Sequence, residues 1–369
     1  MKKQLSLLYR NLFGWTTNRK IVVLESDDWG SVRIRSKKDA EAMAQKGVPL
    51  ASNHFTLYDA LESNDDLESL FDLLTHHKDV TGRPPVFTPM CTMVNPMFEE
   101  IEKNGFEKYI YEPFTESCKR YDNHERVPDL WHQGIKERLF VPQFHGREHI
   151  NPLRWLRLLK NGNQELLNMF AHGSYGVLET ASGEAIPNYL AGFDAEKEGD
   201  DVFIIESIKE GLDIFKGIVG YPATCFVPCS GAAIPQIEQQ LKECGIKYVN
   251  SGRVEKIPDG KGGYKTRMSW LGKKNQLGQT YITRNVFFEP SDPSCTNWID
   301  EALTSIKFAF LLRKPAIVSV HRVNFIGGID KENQSNGLKS LDKFLTEVIK
   351  QWPEVEFLTT EELGQLISK

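Results

Sequence analysis

The chain alternates. A short apolar run, a polar turn and a stretch of helical periodicity recur from near the first residue to near the last. The strand-like runs are 20–26, 85–92, 139–144, 223–227, 247–249, 280–288, 316–320 and 355–358. Helix-like stretches between them include 37–45, 65–74, 152–160, 164–170, 202–218, 235–244, 297–312 and 340–351. Alternation of this kind predicts a parallel sheet. So many units predict a closed or partly closed barrel. A length of 369 residues allows two ordinary domains or one large α/β barrel. No repeat, low-complexity block or long Pro/Gly/Ser linker divides the sequence. The expected organisation is an N-terminal helical extension, 1–19, and one barrel domain, 20–369.

Composition narrows the partners. Hydrophobic residues make up 40% and charged residues 26%, which describes a globular chain able to bury a large core. The formal net charge is −5 with no long run of one sign, so neither nucleic acid nor an anionic membrane is expected as the main partner. The start, MKKQLSLLYRNLFGW, imitates a signal peptide for a few residues. Arg10 and Asn11 then interrupt it, and no small-residue cleavage site follows. Leu5, Leu8 and Leu12 fit one face of a short amphipathic helix. No apolar run approaches the roughly 20 residues that span a bilayer. The expected location is the cytoplasm. The six Cys, at 91, 118, 225, 229, 244 and 295, form no Cys-rich zinc pattern and are expected as reduced, mostly buried thiols.

Several strand-like runs end in residues with chemistry to offer. The first ends in Asp27-Asp28-Trp29-Gly30, the third in His145, the fourth in Pro228-Cys229-Ser230-Gly231 and the seventh in His321-Arg322. Parallel barrels build their sites at the carboxyl ends of strands, so these residues are expected on one face. The tandem acids pose a problem. Side chains alternate along a strand, so neighbours point apart. Both acids serve one site only if the strand stops and the chain turns there, and Trp29-Gly30 is the predicted turn.

His145 and His149 stand four apart. On a helical turn such residues share a face, and two imidazoles with a carboxylate from elsewhere suit a zinc ion. The same stretch, His145-Gly146-Arg147-Glu148-His149, also matches H-x-x-E-H, the inverted zinc-peptidase motif with Glu148 as base. Pro142 just before it and Gly146 inside it discourage the continuous helix that motif needs.

From 20 to about 363 the succession of motifs resembles the polysaccharide deacetylase superfamily (NodB homology, carbohydrate esterase family 4). Glu25-Ser26-Asp27-Asp28-Trp29-Gly30 is similar to the family's Thr-Phe-Asp-Asp-Gly strand end. His145 to His149 matches His-x-x-x-His, and Phe226 to Gly231 and His321 resemble the Pro-containing loop and the late His. The resemblance implies a distorted (β/α)7 barrel. It implies Asp27 as general base, His321 as general acid, and Asp28, His145 and His149 as ligands of a divalent metal ion, with zinc the first expectation. The implied reaction is removal of an acetyl group from an N-acetylated sugar, oligosaccharide or glycan precursor, with a backbone N–H near Cys229 helping to hold the oxyanion.

The sequence also departs from the family. The loop usually begins Arg-x-Pro, with the Arg steadying the catalytic Asp. Here it reads Cys225-Phe226-Val227-Pro228-Cys229. Arg322 or Arg284 is expected to supply that charge instead. Trp29 displaces the usual Gly. Pro228, Cys229, Arg284, Glu289, Arg322 and Trp29 are the candidate substrate contacts. Glu289 is placed to hydrogen-bond a sugar hydroxyl. One of Trp29, Trp131, Phe144 and Trp155 is a candidate stacking platform. The stretch 323–337 is expected to be a long polar loop. Competing readings are a barrel hydrolase acting on another amide, ester or glycosidic bond, a non-catalytic sugar-binding relative, and the peptidase.

Overall fold

The computed structural model describes residues 2–231, 233–258 and 263–369. Its centre is a nine-stranded sheet whose pairings are all parallel. The strands are β1 (Lys20–Trp29), β2 (Phe87–Thr92), β3 (Gln143–Gly146), β4 (Cys225–Phe226), β5 (Tyr248–Asn250), β6 (Thr280–Ile282), β7 (Val286–Phe287), β8 (Ala316–His321) and β9 (Val355–Phe357). The order is β6-β5-β4-β3-β2-β1-β8-β7, and β9 pairs with the beginning of β1. The two edge strands, β6 and β7, are consecutive in the chain. Thr283, Arg284 and Asn285 join them, so covalent continuity closes the ring that hydrogen bonding leaves open. Counting β6/β7 as one position, the circuit β1, β2, β3, β4, β5, β6/β7, β8 has seven positions, which is a distorted (β/α)7 barrel.

The run 280–288 is therefore not one strand, as its composition predicts, but two. The amide of Asn285 explains the break. Its Oδ1 accepts from the Ile317 N–H at 2.8 Å, and its Nδ2 donates to Pro315 O at 2.9 Å and to Asn11 Oδ1 at 2.7 Å. The Asn285 N–H still donates to Ile317 O at 3.2 Å, and its buried side chain adds the partner for the Ile317 N–H, as buried polar groups require. The interruption leaves Arg284 facing the barrel.

β1 sets the parity of the interior. Ile21 and Val23 pack with Cys225, Tyr248, Ile282 and Ile317 from other strands of the ring, and Leu358 and Leu363 plug that end. Val22 and Leu24 face the large cluster beneath the surrounding helices. By alternation Glu25 and Asp27 continue the inward row.

Helices 37–45, 152–160 and 164–170 occupy the expected residues. The stretch 323–337 differs from expectation. A helix begins at Lys331, capped by the Asp330 side chain on the Glu332 N–H at 2.9 Å. Its first turn faces inward with polar residues: Asn333 donates to Val323 O at 2.7 Å and Gln334 to Asp66 at 2.6 Å. Burying amides rather than apolar groups hid the helical period. Also unforeseen is an antiparallel hairpin, Val254–Pro258 with Tyr264–Met268, at the rim of the barrel. Among the described residues no helix is long and apolar enough to cross a membrane, and the six thiols are unpaired.

Candidate active site

The carboxyl ends of the strands open into a cavity of about 770 Å³. Asp27, Asp28, His145, His149, Pro228, Arg284 and His321 line it. Such a volume lies within the usual range for small-ligand sites.

Two adjacent acids reach one cavity because β1 breaks its own alternation. Asp27 points inward by parity and is in register with His321 of β8. Asp28 should face the helices, but its φ is +77°, in the left-handed region that a non-glycine residue rarely adopts. The pairing with β2 slips between Ser26 and Trp29 at this point. Gly30 follows at φ +84°, and a Cβ there would meet Thr92 O at 2.3 Å, so only glycine fits. Backbone strain of this kind tends to collect at functional sites.

The turn delivers Asp28 to the histidines. Asp28 Oδ1 lies 2.9 Å from His149 Nε2 and 3.4 Å from His145 Nε2. Arg33 holds the other oxygen, Oδ2, at 3.0 Å and is itself tied to Asp59 at 3.1 Å. Burial pushes the Asp28 carboxyl up, but His149, His145 and Arg33 outweigh it and hold it well below the carboxylate range. Burial pulls His149 down. His145 does not sit on a helical turn. It closes β3, and the next helix waits for Asn151 as cap and Pro152 as its first residue. A strand end and a bend, rather than a helix face, bring the two rings within 5.4 Å of each other.

These residues fit a divalent ion. Nδ1 of His145 contacts Val227 O at 2.8 Å, which assigns the ring proton there and leaves a lone pair on Nε2. That lone pair faces a carboxylate oxygen, an arrangement favourable only with a cation or proton between them. Ligands about 2.0–2.1 Å from a tetrahedral ion lie about 3.3 Å apart, close to the spacings observed. Cys229 forms a second set with the two histidines, without Asp28: its thiol and the two imidazoles each place one ligand atom within 4.8 Å of the others. The thiol lies 3.3 Å from His145 O, and burial holds it in the neutral form.

Asp27 is clamped. Arg284 donates to its two oxygens at 2.6 Å each, to Glu25 at 2.6 Å and to Ser319 Oγ at 3.1 Å. Burial raises the Asp27 carboxyl, but Arg284 more than offsets this, so Asp27 is ionised. His321 Nε2 lies 3.8 Å from Asp27, while its Nδ1 meets Glu289 at 2.6 Å. Burial pulls the imidazolium down, yet Glu289 outweighs it and pushes His321 up to about 9. Phe55 packs edge-on against that ring at 4.8 Å.

Not every sequence candidate reaches the cavity. Arg322 is wholly buried and paired with Asp59 and Glu62. Trp29 is buried against Phe140, with its ring N–H on Ser26 Oγ. Trp131, Phe144 and Trp155 are core residues. All four aromatics lost the contest to packing, which is where large rings usually go. Glu289 is occupied by His321 and by Asn324 at 2.7 Å, not turned to the cavity. Glu148 is tied to Arg147 at 2.6 Å and does not line the cavity either, which leaves the inverted-peptidase reading without its base. Arg33, Glu25, Ser319 and Phe55 went unnoticed in the sequence. Only Glu25 had a readable signal, its even spacing from Asp27 on the inward row.

Fold and site together describe a barrel whose open end gathers Asp28, His145 and His149 beside an ionised Asp27 and a charged His321. No protein-family model matches the sequence, and no curated protein does. Among solved structures the chain is similar to an allantoinase (10% identity, TM-score 0.48, covering 95% of this chain and 91% of the other). It is also similar to a Pseudomonas aeruginosa protein assigned as a polysaccharide deacetylase (10%, TM-score 0.46, 94% and 91%). A third is a carbohydrate esterase family 4 pseudoenzyme of Bacillus anthracis (10%, TM-score 0.38, 94% and 66%). With TM-scores below 0.5, these likenesses carry no weight on activity.

Proposed function

We propose that this chain is a metal-dependent hydrolase that removes an acetyl group from an N-acetylated sugar or glycan precursor. The observation that carries the reading is one carboxylate oxygen, Asp28 Oδ1, set between two imidazole nitrogens, beside a clamped Asp27 and a charged His321 in the same cavity. Asp28, His145 and His149 would hold the ion, with Cys229 alongside. When bound, such an ion polarises a carbonyl and makes water acidic.

The chain's own groups do the proton work. Asp27, kept ionised by Arg284, takes a proton from the attacking water. His321, kept charged by Glu289, gives one to the departing nitrogen, without which an amide does not cleave. A backbone N–H near Cys229 supplies a further oxyanion contact.

The direct test is metal content by mass spectrometry on untagged protein, followed by a screen of N-acetyl sugars for acetate release. About one ion per chain in the wild type and loss of it in His145→Ala are expected. A wild type that stays metal-free after incubation with zinc and dialysis would remove the centre of the reading.

A pH profile tests the Glu289–His321 pair. His321 acts in its protonated form, so kcat/KM should hold through neutral pH and fall as pH rises through about 9. Glu289→Gln removes the charge that favours the imidazolium. The alkaline limb should then move to lower pH by about one to two pH units. An unmoved limb would show that His321 does not set it.

A further inference from the structure

The inner wall of the cavity is charge-balanced and its mouth is not. Asp27 is paired with Arg284, Asp28 with Arg33, and Glu255 with Arg267. Three other cations line the same cavity: Arg10, Arg253 and Lys256. Among the described residues none of the three has a carboxylate within 4.0 Å. The whole chain carries a formal charge of −5, so this local excess is not a property of the surface at large.

Two of the three are held rather than loose. Arg10 lies over the Phe287 ring at 5.0 Å and donates from Nη1 to Asn285 O at 3.3 Å. Arg253 is set among the rings of Phe13 at 4.7 Å, Tyr9 at 5.2 Å and Trp270 at 5.8 Å. It donates from Nη1 to Ser269 O at 3.0 Å, which leaves the rest of its fork to the cavity that it lines. Aromatic faces fix a guanidinium plane while leaving N–H groups of the fork free. A fixed guanidinium that lines a cavity with no carboxylate beside it suits a phosphate group, through charge-assisted hydrogen bonds. Ser230, Asn250 and Ser251 line the same cavity and add neutral polar groups.

We infer that the mouth is a phosphate subsite, so that the acetylated substrate carries a phosphate or diphosphate held by Arg10 and Arg253 with Lys256 beside them. The substrate part of this inference rests on the deacetylase reading of the inner end; the anion site does not. Phosphate reaches a sugar as a simple ester, through a nucleotide or through a lipid carrier, and the geometry at the mouth is common to all three.

The test has a binding arm and a turnover arm, both on the metal-loaded protein. Inorganic pyrophosphate is titrated by calorimetry into wild type, Arg253→Gln and Arg10→Gln. Affinity is expected to fall about 10- to 100-fold in either variant, as the loss of a charge-assisted hydrogen bond implies. Pyrophosphate held by the metal alone would bind all three equally and overturn the inference. Two variants guard against one failing to fold, which near-ultraviolet circular dichroism checks. For turnover, acetate release is compared for N-acetylglucosamine, its 1-phosphate, a nucleoside-diphosphate derivative and a polyprenyl-diphosphate derivative in vesicles. At least one phosphorylated form should exceed the neutral sugar by about tenfold or more in kcat/KM, and which one exceeds it identifies the source. The advantage should collapse in Arg253→Gln. Equal turnover of neutral and phosphorylated sugars would overturn the inference while leaving the deacetylase reading intact. Arginine-dependent pyrophosphate binding with no acetate release from any sugar would retain the anion site and sink the deacetylase reading.

Discussion

Asp27→Asn is expected to lower kcat by about 10²- to 10⁴-fold, the usual worth of a positioned proton acceptor. An amide in that place cannot take a proton from water. One of its two Arg284 bonds is also lost, because an NH₂ group would face a guanidinium. The ion should stay, since Asp28, His145 and His149 form a separate set of contacts. Arg284 retains Glu25 at 2.6 Å. Unchanged metal content with collapsed turnover is therefore the signature to look for. Wild-type turnover in Asp27→Asn would mean that another group is the base.

Arg284→Met should have the largest effect on stability. It leaves Asp27 and Glu25, both almost inaccessible to water, without their shared counter-charge. What remains for Glu25 is Thr360 Oγ1 at 2.8 Å and Asn250 at 3.5 Å. Removing one partner from a buried ion pair costs about 3–5 kcal/mol. In the wild type the depressed Asp27 carboxyl contributes stability above the unfolded value of about 3.9, and this is lost as pH falls through the lower folded value. In the variant burial acts without Arg284 and the folded value rises. The deficit should then be largest at neutral pH and shrink in mild acid, where the Asp27 carboxyl takes up a proton. Urea unfolding at pH 7 and pH 5 reads both values, and a deficit that does not shrink would place the loss elsewhere. A methionine fills much the same space, so the comparison isolates charge from volume.

Arg284 also illustrates what a sequence conceals. Its residue type and its place in an apolar run were plain, and so was the need for some arginine near Asp27. That Arg284 rather than Arg322 meets the need depends on a broken strand. Asn285 satisfies the β8 edge with its side chain, which turns Arg284 inward. Arg322 follows His321 directly and falls on the opposite parity, where Asp59 and Glu62 bury it. Alternation would have separated the two candidates had the strand containing Arg284 been known to break.

The sequence alone determined the alternation of strands and helices, the parallel barrel and the placement of Asp27, Asp28, His145 and His321 at strand ends. These follow from local periodicity and chain direction, which residues carry individually. Tertiary structure decided how Asp28 joins its neighbour in one cavity, which arginine clamps Asp27, that Glu289 serves His321, and that Cys229 lies against the histidines. It also brought helix Lys2–Asn11 and the 253–256 segment, more than 240 residues apart in the chain, to the same cavity. Each of these depends on distances between residues far apart in sequence, and on which buried charges end up paired.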